Sequence, residues 1–323
     1  MKNRQLGKTN LSIPVITFGG NVFGWTVNKK ESFKLLDALF ERGFNFIDTA
    51  NVYSRWVDGN SGGESEAIIG EWMKKRGNRD KMIIATKVGM DVGQGSIDLS
   101  PEHILDQIDI SLKRLQTDYV DIYFSHKDDD STPVAKTLAT YNQLINQGKV
   151  RYIGASNFPL ARLQESIEYS DQHKLPRYEV YQPEYNLMNR DAFENGFQKF
   201  CQKQNISVTS YFTLASGFLT GKYNDKSDTD GKARAGFVSK FFNTRGTKVL
   251  DALEQVANEQ EVTQAAVAIA WAIEQPGITS PIASASSIDQ LKSFDQAVEL
   301  NLSEDQLELL NNASLKSEEA ANI

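Results

Sequence analysis

Cysteine is almost missing from this sequence. Cys201 is the only one in 323 residues, so no intrachain disulfide can form and the chain reads as a product of a reducing compartment. Histidine is nearly as scarce, with three in the chain. No Cys or His pair falls at ligand spacing, which argues against a catalytic metal. No apolar run approaches the ~20 residues of a membrane span, and the opening MKNRQLGKTN lacks the apolar stretch of a secretion signal. An excess of positive charge is missing too. Thirty-five Lys and Arg against 42 Asp and Glu leave a net charge of −7, the wrong sign for a nucleic-acid surface. No GxSxG elbow is present, so an α/β-hydrolase is unsupported. The expectation is an acidic, soluble, cytoplasmic globular protein with no membrane or nucleic-acid partner.

What is present is alternation. Short apolar runs at 15–20, 44–48, 82–88, 119–124, 150–155, 178–182, 206–212 and 278–283 read as strands. MIIATKV (82–88) is apolar almost throughout, as expected of a strand buried on both faces. Longer amphipathic segments separate the runs. Asn28 with Glu31 opens a helix that Gly43 ends, and Ile68, Ile69, Trp72 and Met73 mark a second, stopped by Gly77. Ser100-Pro101 opens a third. Further helices are expected at 133–147, 159–170, 191–204, 247–259 and 263–274, with Ser287 and Gln290 capping another. Strands that alternate with helices imply a parallel α/β sheet, most simply one (β/α)8 barrel over residues 1–323. Residues 1–13 read as a short N-terminal hairpin, 303–314 as an extra C-terminal helix opened by Ser303-x-x-Gln306, and 315–323 as a polar tail.

In such a barrel the chemistry sits at the C-terminal ends of the strands. The polar residues there are Asp48, with Tyr53 five residues on, Lys87, His126, Ser156 with Asn157, Gln182 and Tyr211. Each has a plain alternative. Asp48 could cap a turn, Lys87 could carry its head to water, His126 could be a core histidine, and Ser156-Asn157 could cap the next helix. Together they suit the protonation of an oxygen on which negative charge develops. A phenol titrates near ~10, and a neighbouring ammonium favours its anion. Carbonyl reduction fits, and the hydride must come from a cofactor. A rival uses Lys87 as a Schiff-base nucleophile, for which its pKa would have to be depressed, whereas adjacent Asp48 is expected to raise it.

FIDTANVY (46–53), IIATKVG (83–89), YVDIYFSH (119–126), GKVRYIGASNF (148–158), YQPEYNLMNR (181–190) and YFTLASGFLTGKY (211–223) together resemble the aldo-keto reductases. The similarity is collinear from about residue 5 to about residue 310. It implies a (β/α)8 barrel and a tetrad at Asp48, Tyr53, Lys87 and His126. Tyr53 would be the general acid, Lys87 paired with Asp48 would lower its pKa, and His126 would orient the substrate carbonyl. It also implies a nicotinamide cofactor. Ser156, Asn157 and Gln182 would hold the carboxamide, and Tyr211 would stack on the ring. Gly20 and Asp48 would lie beside the cofactor. Phe212, Thr213, Leu214, Ser216, Gly217, Leu219, Gly221 and Lys222 would follow the pyrophosphate, and Ser284, Ser286 and Gln290 the adenosine end.

The sequence departs from the family pattern in places. Phe212-Thr213 replaces a common Ser-Pro, Ser284-Ala285-Ser286 a common Gly-Ala-Arg or Gly-Ala-Lys, and Phe294 a common Asn. NADP(H) is the favoured cofactor, held through Ser284 and Ser286 with a cation such as Lys232 or Arg234, and NAD(H) stays open. Phe23, Trp25 and Trp56 are candidates for a substrate wall beside Tyr53 and His126. Lys127 could meet an anionic substrate. The run Asp128-Asp129-Asp130 reads as solvated. The substrate class is an aldehyde, ketone or alcohol. The alternative function is a cofactor-sensing regulatory subunit similar to potassium-channel β subunits.

Overall fold

The computed structural model describes residues 1–223, 225–229, 231 and 234–316. Lys232 and residues 317–323 of the expected tail lie outside that set. The chain opens with an antiparallel hairpin of β1 (Asn3–Gln5) and β2 (Ser12–Pro14). Eight strands then build one sheet: β3 (Thr17–Gly19), β4 (Phe46–Asp48), β5 (Ile83–Val88), β6 (Val120–Ser125), β7 (Val150–Ser156), β8 (Tyr178–Gln182), β9 (Ser207–Val208) and β10 (Ile282–Ala283). Their spatial order is β10-β3-β4-β5-β6-β7-β8-β9, and every pairing is parallel. The sheet curls until its edges meet. Ile282 N donates to Ser210 O at 2.7 Å and Thr279 N to Val208 O at 2.8 Å. The architecture is consistent with a (β/α)8 barrel.

Strand periodicity of two positions the site. Leu6, Leu11 and Ile13 of the hairpin segment share a buried cluster with Phe46, Ile83, Ala85, Ile122, Phe124 and Val180. Gly7 N donates to Ser207 Oγ at 2.6 Å, pinning the hairpin turn to β9. Two residues beyond Phe46, Ala85, Phe124 and Val180 stand Asp48, Lys87, His126 and Gln182. An apolar floor therefore underlies a polar mouth. Gly154 belongs to the floor: a Cβ there would lie 2.9 Å from Phe124 Cζ and closer still to two other ring carbons. Gly154→Ala is expected to destabilise the protein by about 1–3 kcal/mol through overpacking. The check is the denaturant midpoint at constant m, and a wild-type midpoint would refute the argument.

The helices follow their caps. Asn28 accepts Glu31 N at 3.0 Å to open α1 (Lys29–Glu41), and α2 (Glu64–Arg76) follows β4. Ser100 accepts His103 N at 3.3 Å to open α3 (Pro101–Leu115). Then come α4 (Val134–Asn146) and α5 (Leu160–His173). The single helix expected at 191–204 is two, α6 (Asp191–Glu194) and α7 (Phe197–Gln204). Gly196 breaks it with φ of 123°, open only to glycine. After β9 come α8 (Ala235–Val238), α9 (Thr244–Gln260) and α10 (Gln264–Glu274).

Ser287 does not cap α11 (Lys292–Glu299). A 3-10 turn at Asp289–Leu291 precedes that helix, and Gln290 Oε1 accepts Ser286 N at 2.8 Å instead. Ser303 and Gln306 do form the expected reciprocal cap on α12 (Glu304–Ser314). The run expected as a strand at 206–212 pairs as a regular ladder only at Ser207–Val208. Beyond β9 it continues through single bonds, Thr209 N to Tyr181 O at 3.1 Å and Tyr211 N to Pro183 O at 2.9 Å.

Candidate active site

Asp48 ends β4 and Lys87 lies near the end of the neighbouring β5, so their side chains converge inside the curled sheet. Lys87 is fully buried and Asp48 nearly so. The ammonium has three protons and meets three acceptors. Lys87 Nζ lies 2.5 Å from Asp48 Oδ2, 2.9 Å from Thr49 O and 2.8 Å from Tyr53 Oη. Tyr53 Oη donates to the same Asp48 oxygen at 3.1 Å. Burial pulls the Lys87 ammonium below its usual range, against the attraction of Asp48.

Burial also pushes the Tyr53 phenol well above its ordinary value, and the Asp48 carboxylate adds to that. The expectation that Lys87 lowers Tyr53 is therefore corrected for this state of the site. Desolvation and the nearby carboxylate outweigh the ammonium, and the phenol keeps its proton. His126 stands edge-on to Tyr53 with ring centroids 6.0 Å apart. Burial, then the charge of Lys87, hold its pKa well below the usual range, so the imidazole is neutral. Its Nδ1 is buried with no hydrogen-bond partner among the described residues.

A hydrogen-bonded chain leads away from this cluster. Gln182 Nε2 donates to Asp48 Oδ1 at 2.9 Å, and Ser156 Oγ to Gln182 O at 2.8 Å. Asn157 Nδ2 donates to Ser156 Oγ and to His126 O, both at 3.0 Å. Tyr211 Oη closes the chain on Asn157 Oδ1 at 2.8 Å. Asn157 has φ of 53°, a left-handed conformation that Asn tolerates. Neither Ser156 nor Asn157 caps α5, whose N-cap is Pro159. The plain alternative for that pair is thereby removed.

From Phe212 to Lys222 the backbone bends repeatedly. Phe212, Ala215, Ser216, Gly217 and Gly221 all have positive φ. Thr213 Oγ1 donates to Ile282 O at 2.8 Å, and Asn186 Nδ2 to Phe212 O at 3.0 Å, tying the bend to the sheet. Leu214 is half-buried and Leu219 is fully buried in the core. A Cβ at Gly217 would lie 3.1 Å from Lys222 Nζ, so the ammonium rests against the glycine.

Gly20 sits under close packing, where a Cβ would meet Asp48 O and Ser65 Oγ at 3.1 Å each. Ser284 Oγ lies 2.8 Å from both Gly19 O and Asn21 Oδ1, so its hydroxyl is already engaged within the protein. Ser286 and Gln290 are exposed and bonded to each other. Arg234 lies over the Trp25 ring, 5.2 Å from its centroid.

The substrate-side expectations divide. Phe23 is fully buried, stacked on Phe18 at 5.5 Å, and belongs to the core rather than to a wall of the mouth. Trp25 meets Trp56 edge-on at 5.5 Å, and Trp56 meets Tyr53 at 6.1 Å. Trp56 lies against the candidate acid, with Trp25 behind it.

Sequence reasoning missed a supporting layer. Thr86 Oγ1 donates to buried Glu66 Oε1 at 2.6 Å, and Arg114 Nη1 reaches Oε2 at 3.3 Å. Thr49 Oγ1 donates to Ser65 Oγ at 2.8 Å, which donates in turn to Gly20 O at 2.8 Å. The first turn of α2 thus clamps the neighbours of both Asp48 and Lys87. A glutamate in a helix's first turn is ordinary, so nothing in the sequence marked Glu66. The acidic run was misread in part. Asp129 is buried, and it accepts Leu99 N at 3.0 Å and Thr132 Oγ1 at 2.6 Å. Asp128 pairs with Arg162 at 3.0 Å.

Among the described residues, no group of His, Cys, Asp and Glu could hold a metal ion, and no helix is long and apolar enough to cross a membrane. The curled parallel sheet thus carries an Asp–Lys–Tyr cluster joined by hydrogen bonds at the C-terminal ends of β4 and β5. The sequence profile of the Aldo/keto reductase family matches residues 15–314, and the chain belongs to that family of oxidoreductases. It is 33% identical over 311 residues to a probable voltage-gated potassium channel subunit beta of Arabidopsis thaliana, covering 93% of this chain and 92% of that protein. It is 31% identical over 333 residues to Protein tas of Escherichia coli K12, covering 95% and 96%. It is 30% identical over 335 residues to an L-glyceraldehyde 3-phosphate reductase of Escherichia coli O157:H7, covering 100% and 91%.

Proposed function

We propose that this chain is an NADP(H)-dependent aldo-keto reductase, one closed (β/α)8 domain acting on an aldehyde or ketone, or on the alcohol in reverse. The observation that carries the reading is Lys87, whose ammonium bonds Asp48 and Tyr53 together at the strand ends. The residues fit a nicotinamide dinucleotide. Gly217 leaves a recess that a Cβ would fill, with the Lys222 ammonium beside it, as phosphate oxygens require. Gln182, Ser156 and Asn157 offer amide and hydroxyl groups to a carboxamide, with Tyr211 as the stacking ring. Phe212, Thr213, Leu214, Ser216, Leu219 and Gly221 shape the recess, and Ser286 and Gln290 serve the adenosine end. When bound, the reduced nicotinamide supplies the hydride that no side chain can.

The chain's own residues handle the oxygen. Tyr53 releases its bond to Asp48 and turns its proton to the carbonyl oxygen. Asp48 is not left unpaired, because Lys87 and Gln182 still hold it. Lys87 donates to Tyr53 Oη and stabilises the phenolate as it forms. His126, neutral, donates a hydrogen bond that orients the carbonyl. Trp25 and Trp56 flank the substrate. Burial lowers the Lys87 ammonium in the direction Schiff-base chemistry would need, but each of its three protons already meets an acceptor, and the reading keeps Lys87 as the ammonium that holds Asp48 and Tyr53. The similarity to a channel β subunit favours one second reading, a subunit that couples cofactor state to a partner. Turnover of small aldehydes by the isolated chain separates the two.

The test is fluorescence titration with NADPH and, separately, NADH. Tight binding is expected, with NADPH the tighter. Failure of both to bind below ~1 mM, weaker than about −4 kcal/mol, would refute the cofactor site. Gln182→Ala is expected to raise the dissociation constant of whichever binds.

A further inference from the structure

Glu66 is a buried carboxylate that the mechanism leaves unused. Four acidic side chains are buried among the described residues: Asp48, Glu66, Asp121 and Asp129. Asp48 belongs to the site. Asp121 is answered by two arginines, Arg79 on Oδ2 and Arg151 on Oδ1, both at 2.9 Å. Asp129 is answered by amide and hydroxyl donors. Glu66 is fully buried and meets one cation, Arg114, at 3.3 Å. That cation is fitted there. A Cβ at Gly63 would collide with the Arg114 guanidinium and one at Gly70 with its carbonyl oxygen, so the two glycines let α3 approach α2 and bring the pair together.

Strand alternation sets this pair behind Lys87. Lys87 points into the barrel, while its neighbour Thr86 points out to α2 and bonds Glu66 at 2.6 Å. The carboxylate therefore lies on the far side of β5 from the ammonium. A clamp on Thr86 needs only an acceptor, which a neutral amide would supply. A buried charge costs far more than a buried amide, so the charge calls for a use, and Lys87 offers one. Inside the barrel the ammonium faces Asp48 from β4, the protonated Tyr53 phenol from the loop after it and the neutral His126 imidazole from the end of β6. There a single carboxylate opposes its desolvation. Glu66 adds a second negative charge from behind, in the direction that keeps the ammonium charged. On its own side Glu66 faces Thr86, Arg114 and the Tyr123 phenol of β6, which burial keeps protonated.

We propose that Glu66 is a positioning residue for carbonyl reduction, a second carboxylate that works through Lys87 from outside the barrel and holds its ammonium charged and in place between Asp48 and Tyr53. This rests on the reductase reading.

Glu66→Gln keeps an acceptor for Thr86 and removes the charge. The ammonium is then less favoured, so the alkaline limb of kcat is expected to move down by about one pH unit, a roughly tenfold change in the proton equilibrium. KM for a small aldehyde and the NADPH dissociation constant are expected to stay within about twofold. Thr86→Val is the structural control. It cuts the bond and leaves the carboxylate, so it should lower the denaturant midpoint and leave the limb where it is. A limb that Glu66→Gln leaves in place, or that Thr86→Val moves as far, would reduce Glu66 to a clamp and overturn the proposal. Should Glu66→Gln fail to fold, Glu66→Met/Arg114→Met replaces both charges together. Arg114 is 28% exposed and screened by solvent while Glu66 is fully buried, so the loss of Glu66 still sets the sign and the same downward shift is expected.

A readout independent of turnover is NMR titration of isotope-labelled lysine side chains, with the Lys87 line identified by its loss in Lys87→Met/Asp48→Asn. Its midpoint is expected to fall in Glu66→Gln by the same amount as the limb. A midpoint that moves in a protein that reduces no aldehyde leaves the link from Glu66 to Lys87 standing and refutes the reductase reading alone. An unmoved midpoint overturns the proposal whatever the turnover.

Discussion

Replacing Tyr53 by Phe is expected to lower the rate of carbonyl reduction by roughly 10²–10⁴-fold, the usual worth of a positioned general acid. The cofactor dissociation constant is expected to stay nearly unchanged. The substitution removes one hydroxyl and keeps the ring that packs against Trp56 and His126. Lys87 retains Asp48 and Thr49 O as acceptors, and Asp48 retains Lys87 and Gln182. The fold and the Gln182–Ser156–Asn157 chain therefore survive, and the loss falls on proton delivery. Steady-state turnover together with NADPH titration checks both halves. Undiminished turnover would remove Tyr53 as the acid. In the wild type the phenol is held above its usual range and the imidazole below. Neither group changes state near pH 7, and turnover is expected to be flat through neutrality.

Much of this site was legible because strand ends are easy to find. Val88 closes a wholly buried run and Ser125 another, so the polar residues at their ends, Lys87 and His126, stand out against apolar neighbours. Asp48 and Tyr53 were legible through the same geometry. Contacts between distant segments were not. Phe23 has the spacing of a mouth aromatic, but Phe18, a strand residue with the same buried face, takes its ring into the core. Asp129 lies in a run that reads as solvated until the Leu99 amide arrives from the loop after β5 to bond it. Gln290 has cap spacing to Ser287, but the Ser286 amide takes its side chain. Local pattern fixes which residues lie at an element's end. It does not fix which partner from another element reaches them first.

Lys87→Met is expected to be the most damaging single change, in stability and in turnover together. Methionine matches the length of the stem but brings no charge. Asp48, 2% exposed, would keep Gln182 and Tyr53 as donors and lose the Lys87 ammonium, its ion-pair partner among the described residues. Removing one partner of a buried ion pair costs about 3–5 kcal/mol, because the other charge stays uncompensated. Denaturant midpoints for both proteins at neutral pH measure this, and a wild-type midpoint for the variant would mean that Asp48 needs no cation in the fold. The double variant Lys87→Met/Asp48→Asn is expected to regain most of the stability, because replacing both charges leaves no unpaired ion. It should regain none of the turnover, because Tyr53 would still lack the ammonium that stabilises its developing anion. Recovery of both would assign Lys87 a structural role only, and the proton-transfer mechanism would have to be rebuilt without it.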